Sequence, residues 1–152
     1  MSGCLHHGKE MGMMTSCSIK VIKIAGKNNF GDQMAQLPLE IDILLRISHE
    51  NIIRTREVWY DDKKYYVILD PIVDADLFTN YSDRSILGMP IFSESHLQAM
   101  SSQLLSALDY LHSIGIAVCH LSLKNILLYG YGPRGPRIKL IDFSQAAKCD
   151  DV

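Results

Sequence analysis

Residues Cys119 to Gln145, CHLSLKNILLYGYGPRGPRIKLIDFSQ, decide how this chain folds. They hold a polar turn, an apolar run from Asn125 to Leu128, a Gly/Pro-rich loop over Tyr129 to Arg137, a second apolar run from Ile138 to Ile141, and an acidic turn. Two β-branched or leucine-rich runs about a Gly/Pro loop predict a β-hairpin. His120, Ser122, Lys124 and Asn125 stand just before the first run, and Asp142 and Ser144 just after the second. A hairpin brings those ends together, so the polar side chains share one small volume.

The rest of the chain sets the bounds. Its 152 residues suffice for one domain, and a hydrophobic share of 47% supports a folded core. A formal net charge of −2 argues against a nucleic-acid surface, which needs clustered excess Lys and Arg. No apolar run is long enough to span a membrane. The start, MSGCLHHGKEMGMM, lacks the basic end and apolar core of a signal peptide. Cys4, Cys17, Cys119 and Cys149 are scattered, with no C-x-x-C pair. That usage predicts reduced thiols and an intracellular, cytoplasmic or nuclear, location. His6 and His7 have no matching cluster, so no metal is assigned to them.

Taken in order, Gly8 to Thr15 is expected to turn, and Ser18 to Ala25 (SIKVIKIA) to form a strand carrying Lys20 and Lys23. Taken singly, Lys23 is equally a solvated side chain on an open face. Gly26 to Gly31 is loop. A helix is expected over roughly Gln36 to Ser48, with Pro38 in its first turn and Leu39, Ile43, Leu44 and Ile47 at helical spacing. Glu40 and Asp42 near its start also suit the helix dipole. Ile52 to Trp59 and Tyr65 to Leu69 predict an antiparallel hairpin about the polar turn Asp61 to Lys64. Pro71 ends strand pairing in the link DPIVDA. Beyond it come a short helix over Asp76 to Tyr81, a loop over Ser82 to Pro90, and the strongest helix, capped by Ser93 and ended by Gly115. On that helix Leu97, Met100, Leu104, Leu108 and Leu111 mark one face. Ile116 to Cys119 is a short strand leading into the opening stretch.

The order of these elements resembles the protein kinase fold, with wording nearest the calcium/calmodulin-dependent and checkpoint group of Ser/Thr kinases. SCSIKVIKIAGK resembles the V-A-I-K strand, LEIDILLRISHENII the helix paired with it, YYVILDPIVDADLF the last N-lobe strand and hinge, ALDYLHSIGI with CHLSLKNILL the long helix and catalytic loop, and KLIDFSQA the D-F-G segment. The implied fold class is α+β: an incomplete N-lobe over 1–70 lacking the Gly-rich loop, a hinge over 71–76, and the start of the helical C-lobe over 77–152. The resemblance implies ATP and Mg as cofactors. It places Lys23 on the phosphates, Glu40 as its ion-pair partner and Leu69 at the back of the adenine pocket. Adenine would meet the carbonyl of Asp70 and the N–H of Ile72, and Asp76 would lie near the ribose. Asp142 would hold the metal, Asn125 the second metal, and Lys124 would keep its place in the catalytic loop.

Against that pattern, the catalytic loop H-R-D-L-K-P-E-N is here H-L-S-L-K-N, two residues shorter. Ser122 occupies the base position, and a serine hydroxyl has no useful basicity at neutral pH. Positioned acid–base groups contribute about 10²–10⁴-fold, so catalysis is expected to be impaired. Leu121 replaces the arginine, and Ser144 the glycine of D-F-G, whose backbone angles serine reaches only at a cost. No activation segment or A-P-E follows Asp142. The long helix is then expected to expose an apolar face and to recruit a protein partner or self-associate. Arg134 and Arg137 in the hairpin loop could form a small docking surface, or only a solvated loop.

Three functions follow. One is a pseudokinase-like binding or regulatory protein that binds nucleotide at most. Another is an active or weakly active Ser/Thr kinase transferring the ATP γ-phosphate to protein. The third is a truncated kinase gene product.

Overall fold

A computed structural model describes residues 4–9, 16–23, 38–72, 75–88, 92–133 and 135–149. The expected loop over 26–31 lies outside them, as do 10–15 of the first turn, Ala25, Gln36, Pro90 and Arg134. The chain divides into two compact units. One comprises 1–46 and 54–71, the other 47–53 and 72–152.

The first unit is built on four antiparallel strands in the order β1-β2-β4-β3. They are β1 (Cys4–Lys9), β2 (Ser16–Lys23), β3 (Thr55–Tyr60) and β4 (Lys64–Leu69). The run before Gly8 is thus a strand paired along its length with β2, from Cys4 opposite Val21 to Lys9 opposite Ser16. The β3–β4 turn follows from Asp61, whose Oδ1 accepts the N–H groups of Lys63 and Lys64 at 2.7 and 2.8 Å. Helix α1 (Leu39–Arg46) is shorter than its apolar period suggests. Pro38 accepts at its carbonyl from Ile41 and Asp42, and Ile41, Ile43 and Leu44 are buried.

The second unit holds α2 (Leu77–Ile86), α3 (Glu94–Ser113), β5 (Ile116–Val118), β6 (Ile126–Gly132), β7 (Gly135–Leu140) and β8 (Ala146–Lys148). Helix α2 runs past the expected Tyr81 through residues read as loop. Asp76 caps it, and Arg84 Nε donates to Asn80 Oδ1 one turn back, which supports the extra turn. Helix α3 begins and ends where its signals predict. Ser93 Oγ accepts the His96 N–H, and Gly115 takes a left-handed φ of 71°. Met100, Ala107 and Leu111 are buried, whereas Leu97 and Leu105 are 51% and 65% exposed.

Strands β6 and β7 form the expected hairpin, but its strands absorb most of the Gly/Pro stretch. The register slips between Leu128 and Tyr131, at a bulge where Gly130 has φ 79°. That bulge lets the ladder resume at Tyr131 opposite Pro136, so the loop shrinks to a tight tip. Segment 47–53 lies along β7: Leu140 N–H donates to Asn51, and Ile53 N–H to Leu140, each at 2.9 Å. β5 pairs with β8 antiparallel, which fixes the chain after Phe143. Phe143, Leu111, Leu140, Ile52 and Ile53 are fully buried.

Candidate functional site

The first unit carries an ion pair. Strand β2 alternates faces, so Lys20 and Lys23, an odd number of residues apart, point to opposite sides of the sheet. Lys20 is buried and Lys23 is exposed at the strand end, opposite Lys64. Lys20 Nζ meets Glu40 Oε1 in a salt bridge. The expected pairing of Glu40 with Lys23 is therefore corrected: Lys20 makes it. Cys17-Ser18-Ile19-Lys20 carried the signal, since it fits V-A-I-K with a small residue in second place. The start of α1 at Leu39 does not prevent the contact, although Glu40 sits in the first turn. Leu69 ends β4 and is 1% exposed. Asp70 accepts from Arg56 Nε at 2.9 Å, and its N–H donates to the carbonyl of Arg54.

The second unit brings the polar residues of the opening stretch to one end of the hairpin. Ile126 pairs with Leu140, and the Ile141 N–H donates to the carbonyl of Asn125 at 3.0 Å. Asn125 and Ile141 therefore flank the last rung, with Asp142 next in the chain. Leu123 to Asn125 form a single 3-10 turn, with Asn125 N–H donating to the Ser122 carbonyl. Ser122 gives that turn no side-chain cap. Asn125 Nδ2 donates to the His120 carbonyl at 3.1 Å, so the shortened loop is tied across its own chord.

Lys124 is turned elsewhere. Its Nζ lies 4.9 Å from the centre of the Phe78 ring on α2, a cation–π contact. Lys124 is expected to keep its place in the catalytic loop, and its ammonium sits over this aromatic face. Asp76 caps α2 with both carboxylate oxygens, Oδ1 accepting from Thr79 N–H and Oδ2 from Thr79 Oγ1. Asp142 Oδ1 accepts the Ser144 N–H at 3.1 Å, a small turn closed by the residue that replaces glycine. No non-glycine residue among those described has a positive φ. Ser144 thus carries none of the expected backbone cost, because the turn is made in an ordinary conformation. Ile72 lies in the second unit, half-buried.

The hard-oxygen donors Asp142 and Asn125 fit Mg²⁺, which takes one or two protein oxygens and leaves its other positions to water and substrate phosphates. With Asn125 Nδ2 engaged, its carboxamide oxygen is the atom left for a metal. Among the described residues no group of three or more His, Cys, Asp or Glu gathers as a metal cage. No helix among them is long and apolar enough to cross a membrane.

Comparisons with known proteins point to one family. The family model of the protein kinase domain matches residues 3–151. A probable serine/threonine-protein kinase of Dictyostelium discoideum is 34% identical over 113 residues, covering 74% of this chain and 18% of that protein. Calcium-dependent protein kinase 3 of Plasmodium yoelii yoelii is 28% identical over 99% of this chain and 26% of its own length. Maternal embryonic leucine zipper kinase of Danio rerio is 32% identical over 84% of this chain and 18% of its own. The chain thus spans about a quarter or less of the length of these relatives.

Proposed function

The chain belongs to the protein kinase domain family, and on that premise we propose that it is a pseudokinase-like segment: it binds nucleotide with Mg²⁺ and serves a binding or regulatory role. One observation carries the reading. Ser122 stands at the base position of a loop in which Asn125 is engaged with the His120 carbonyl and Lys124 with the Phe78 ring.

In this reading Lys20, held by Glu40, neutralises the phosphates. Leu69 closes the back of the adenine pocket, and the Asp70 carbonyl and Ile72 N–H meet the base. Asp76 lies near the ribose, and Asp142 and Asn125 take the metal. The alternative is an active Ser/Thr kinase transferring the γ-phosphate to protein, which the Lys20–Glu40 pair favours. The exposed Leu97 and Leu105 on α3 support a protein partner or self-association.

The test is the melting temperature with and without MgATP, for the wild type and for Lys20→Ala and Asp142→Asn. Ligand at 100 times its Kd adds about 2.7 kcal/mol of stability, and both substitutions should erase that gain. A folded protein showing no shift would remove the nucleotide claim. Phosphotransfer that is abolished by Asp142→Asn would decide for the active kinase.

A further inference from the structure

The edge of the four-stranded sheet plays no part in the nucleotide reading. β3 is the last strand in the order β1-β2-β4-β3, so one of its two sides is paired with β4. Among the described residues, no strand or bridge joins the other side.

The turn fixes which backbone groups that side presents. Asp61 N–H donates to the Lys64 carbonyl at 2.9 Å, which makes Asp61 and Lys64 a hydrogen-bonded pair. Bonded and non-bonded pairs alternate along an antiparallel ladder. Tyr60–Tyr65 and Val58–Val67 are therefore non-bonded pairs, and Trp59–Tyr66 is a bonded one. The N–H and C=O groups of Val58 and Tyr60 thus point away from β4, where a further strand can bond them. Natural sheets guard such an edge with lysine, proline or a bulge. Here the bulge at Arg56 closes the stretch at one end and the Asp61 turn closes it at the other. Between them, Val58, Trp59 and Tyr60 include no lysine or proline.

The side chains along this edge are aromatic and acidic. Trp59 is 64% exposed and Tyr60 77%. Glu57 and Trp59, two residues apart, share one face of the strand. Trp59 Nε1 donates to Glu57 Oε2 at 2.7 Å, so the one indole donor is satisfied and the ring is held beside a carboxylate. That pairing suits a guanidinium, which stacks on an aromatic face and donates to carboxylate oxygens. Asp61 and Asp62 add two exposed carboxylates at the turn, against one exposed cation there, Lys63. Arg56 is already engaged with Asp70.

We propose that the outer edge of β3 is a docking site for an extended segment of a partner protein in which arginine alternates with apolar residues. The segment lies antiparallel to β3 and bonds Val58 and Tyr60 through its own backbone. Directly opposite residues share a face, so an arginine opposite Trp59 meets the indole and Glu57, while its apolar neighbours lie opposite Val58 and Tyr60. The proposal is independent of nucleotide binding. The carboxylates along the edge disfavour a phosphate-bearing partner.

Fluorescence anisotropy of a fluorescein-labelled hexapeptide of alternating Arg and Val tests it on the whole chain, without nucleotide. A hexapeptide of alternating Glu and Val is the counter-probe. The first should bind and the second should not. In this register the valine amides face β3 and the arginine amides face away. N-methylation of the valine amides should weaken binding by about tenfold or more, and of the arginine amides by less than about threefold, since only the former lose backbone hydrogen bonds. Trp59→Ala should weaken binding by about tenfold, the scale of a cation–π contact. Tyr81→Ala, at an exposed aromatic on α2, should alter it by less than about twofold. Amide exchange at Val58 and Tyr60 should slow on binding. The methylated peptides leave the protein unaltered, so their comparison decides the matter should Trp59→Ala disturb folding. No binding, equal binding of the basic and acidic peptides, equal losses from the two methylations, equal effects of Trp59→Ala and Tyr81→Ala in folded protein, or unchanged exchange at Val58 and Tyr60 would overturn the proposal.

Discussion

The Lys20 ammonium is paired with the Glu40 carboxylate, their side chains only 10% and 12% exposed. Two desolvated charges each depend on the other, so removing one strands its partner. Lys20→Met should lower unfolding stability by about 3 kcal/mol in urea titration. Adding Glu40→Leu should recover more than half of the loss, because the two changes act on one interaction. Lys23→Met, at an exposed strand end, should stay within about 0.5 kcal/mol. Equal losses from both lysine substitutions would contradict the assignment.

Gln103 satisfies two backbone groups of β7 and the Asn51 amide at once. Gln103→Ala removes this partner from the Ile138 N–H and the Pro136 carbonyl, while Asn51 Nδ2 keeps its bond to the Ile138 carbonyl, and each unsatisfied buried group costs about 1–3 kcal/mol. A loss of about 2–3 kcal/mol is expected, with hydrogen exchange at the Ile138 amide rising more than at the Ile126–Leu140 rung. Unchanged Ile138 exchange would show that Gln103 is not what holds that edge.

Restoring a carboxylate at the base position should not by itself restore catalysis. Ser122→Asp supplies the missing acid–base group, but Asn125 and Lys124 remain tied to the His120 carbonyl and the Phe78 ring. Radiolabel transfer from MgATP to a generic protein substrate should stay at background. Transfer that appears with Ser122→Asp and vanishes with Asp142→Asn would show that the loop geometry is not limiting.

Asp61 links the β3–β4 turn to pH. The Lys63 N–H first, then the Tyr66 hydroxyl, hold its carboxyl below the usual aspartate value. A depressed folded pKa contributes stability that is fully present above the unfolded value. That stability is lost as pH falls through the folded one. The same hydrogen bond raises the Tyr66 phenol, whose share is present below the ordinary tyrosine value and lost as pH rises through the folded one. The difference in melting temperature between wild type and Asp61→Asn should therefore be flat near neutrality and shrink at both acid and alkaline extremes. A constant difference across pH would rule this out.

Much of the fold was legible because its signals are local. Ser93 and Gly115 bound α3 through chemistry that acts within one turn. The two apolar runs flanking Tyr129 to Arg137 announce a hairpin whatever surrounds them. The misreadings arose where local preference meets pairing. Tyr129, Gly130 and Tyr131 look like loop by composition, yet a bulge at Gly130 keeps them in β6. Ser82 to Ile86 looks like turn, yet the Asp76 cap and the Arg84–Asn80 contact carry α2 through it.

The sequence by itself determined the order of strands and helices from β2 to β7 and, through that order, membership in the protein kinase domain family, but not β1 or β8. Hydrophobic period, caps and motif order are properties of neighbouring residues, so no tertiary contact is needed to read them. Only the tertiary structure decided which lysine meets Glu40, because the face of β2 that Lys20 occupies has meaning only once α1 and the sheet are placed. It likewise decided where Lys124 points and what Asn125 and Gln103 hold, since each joins groups far apart in the chain or across a turn too short for composition to orient.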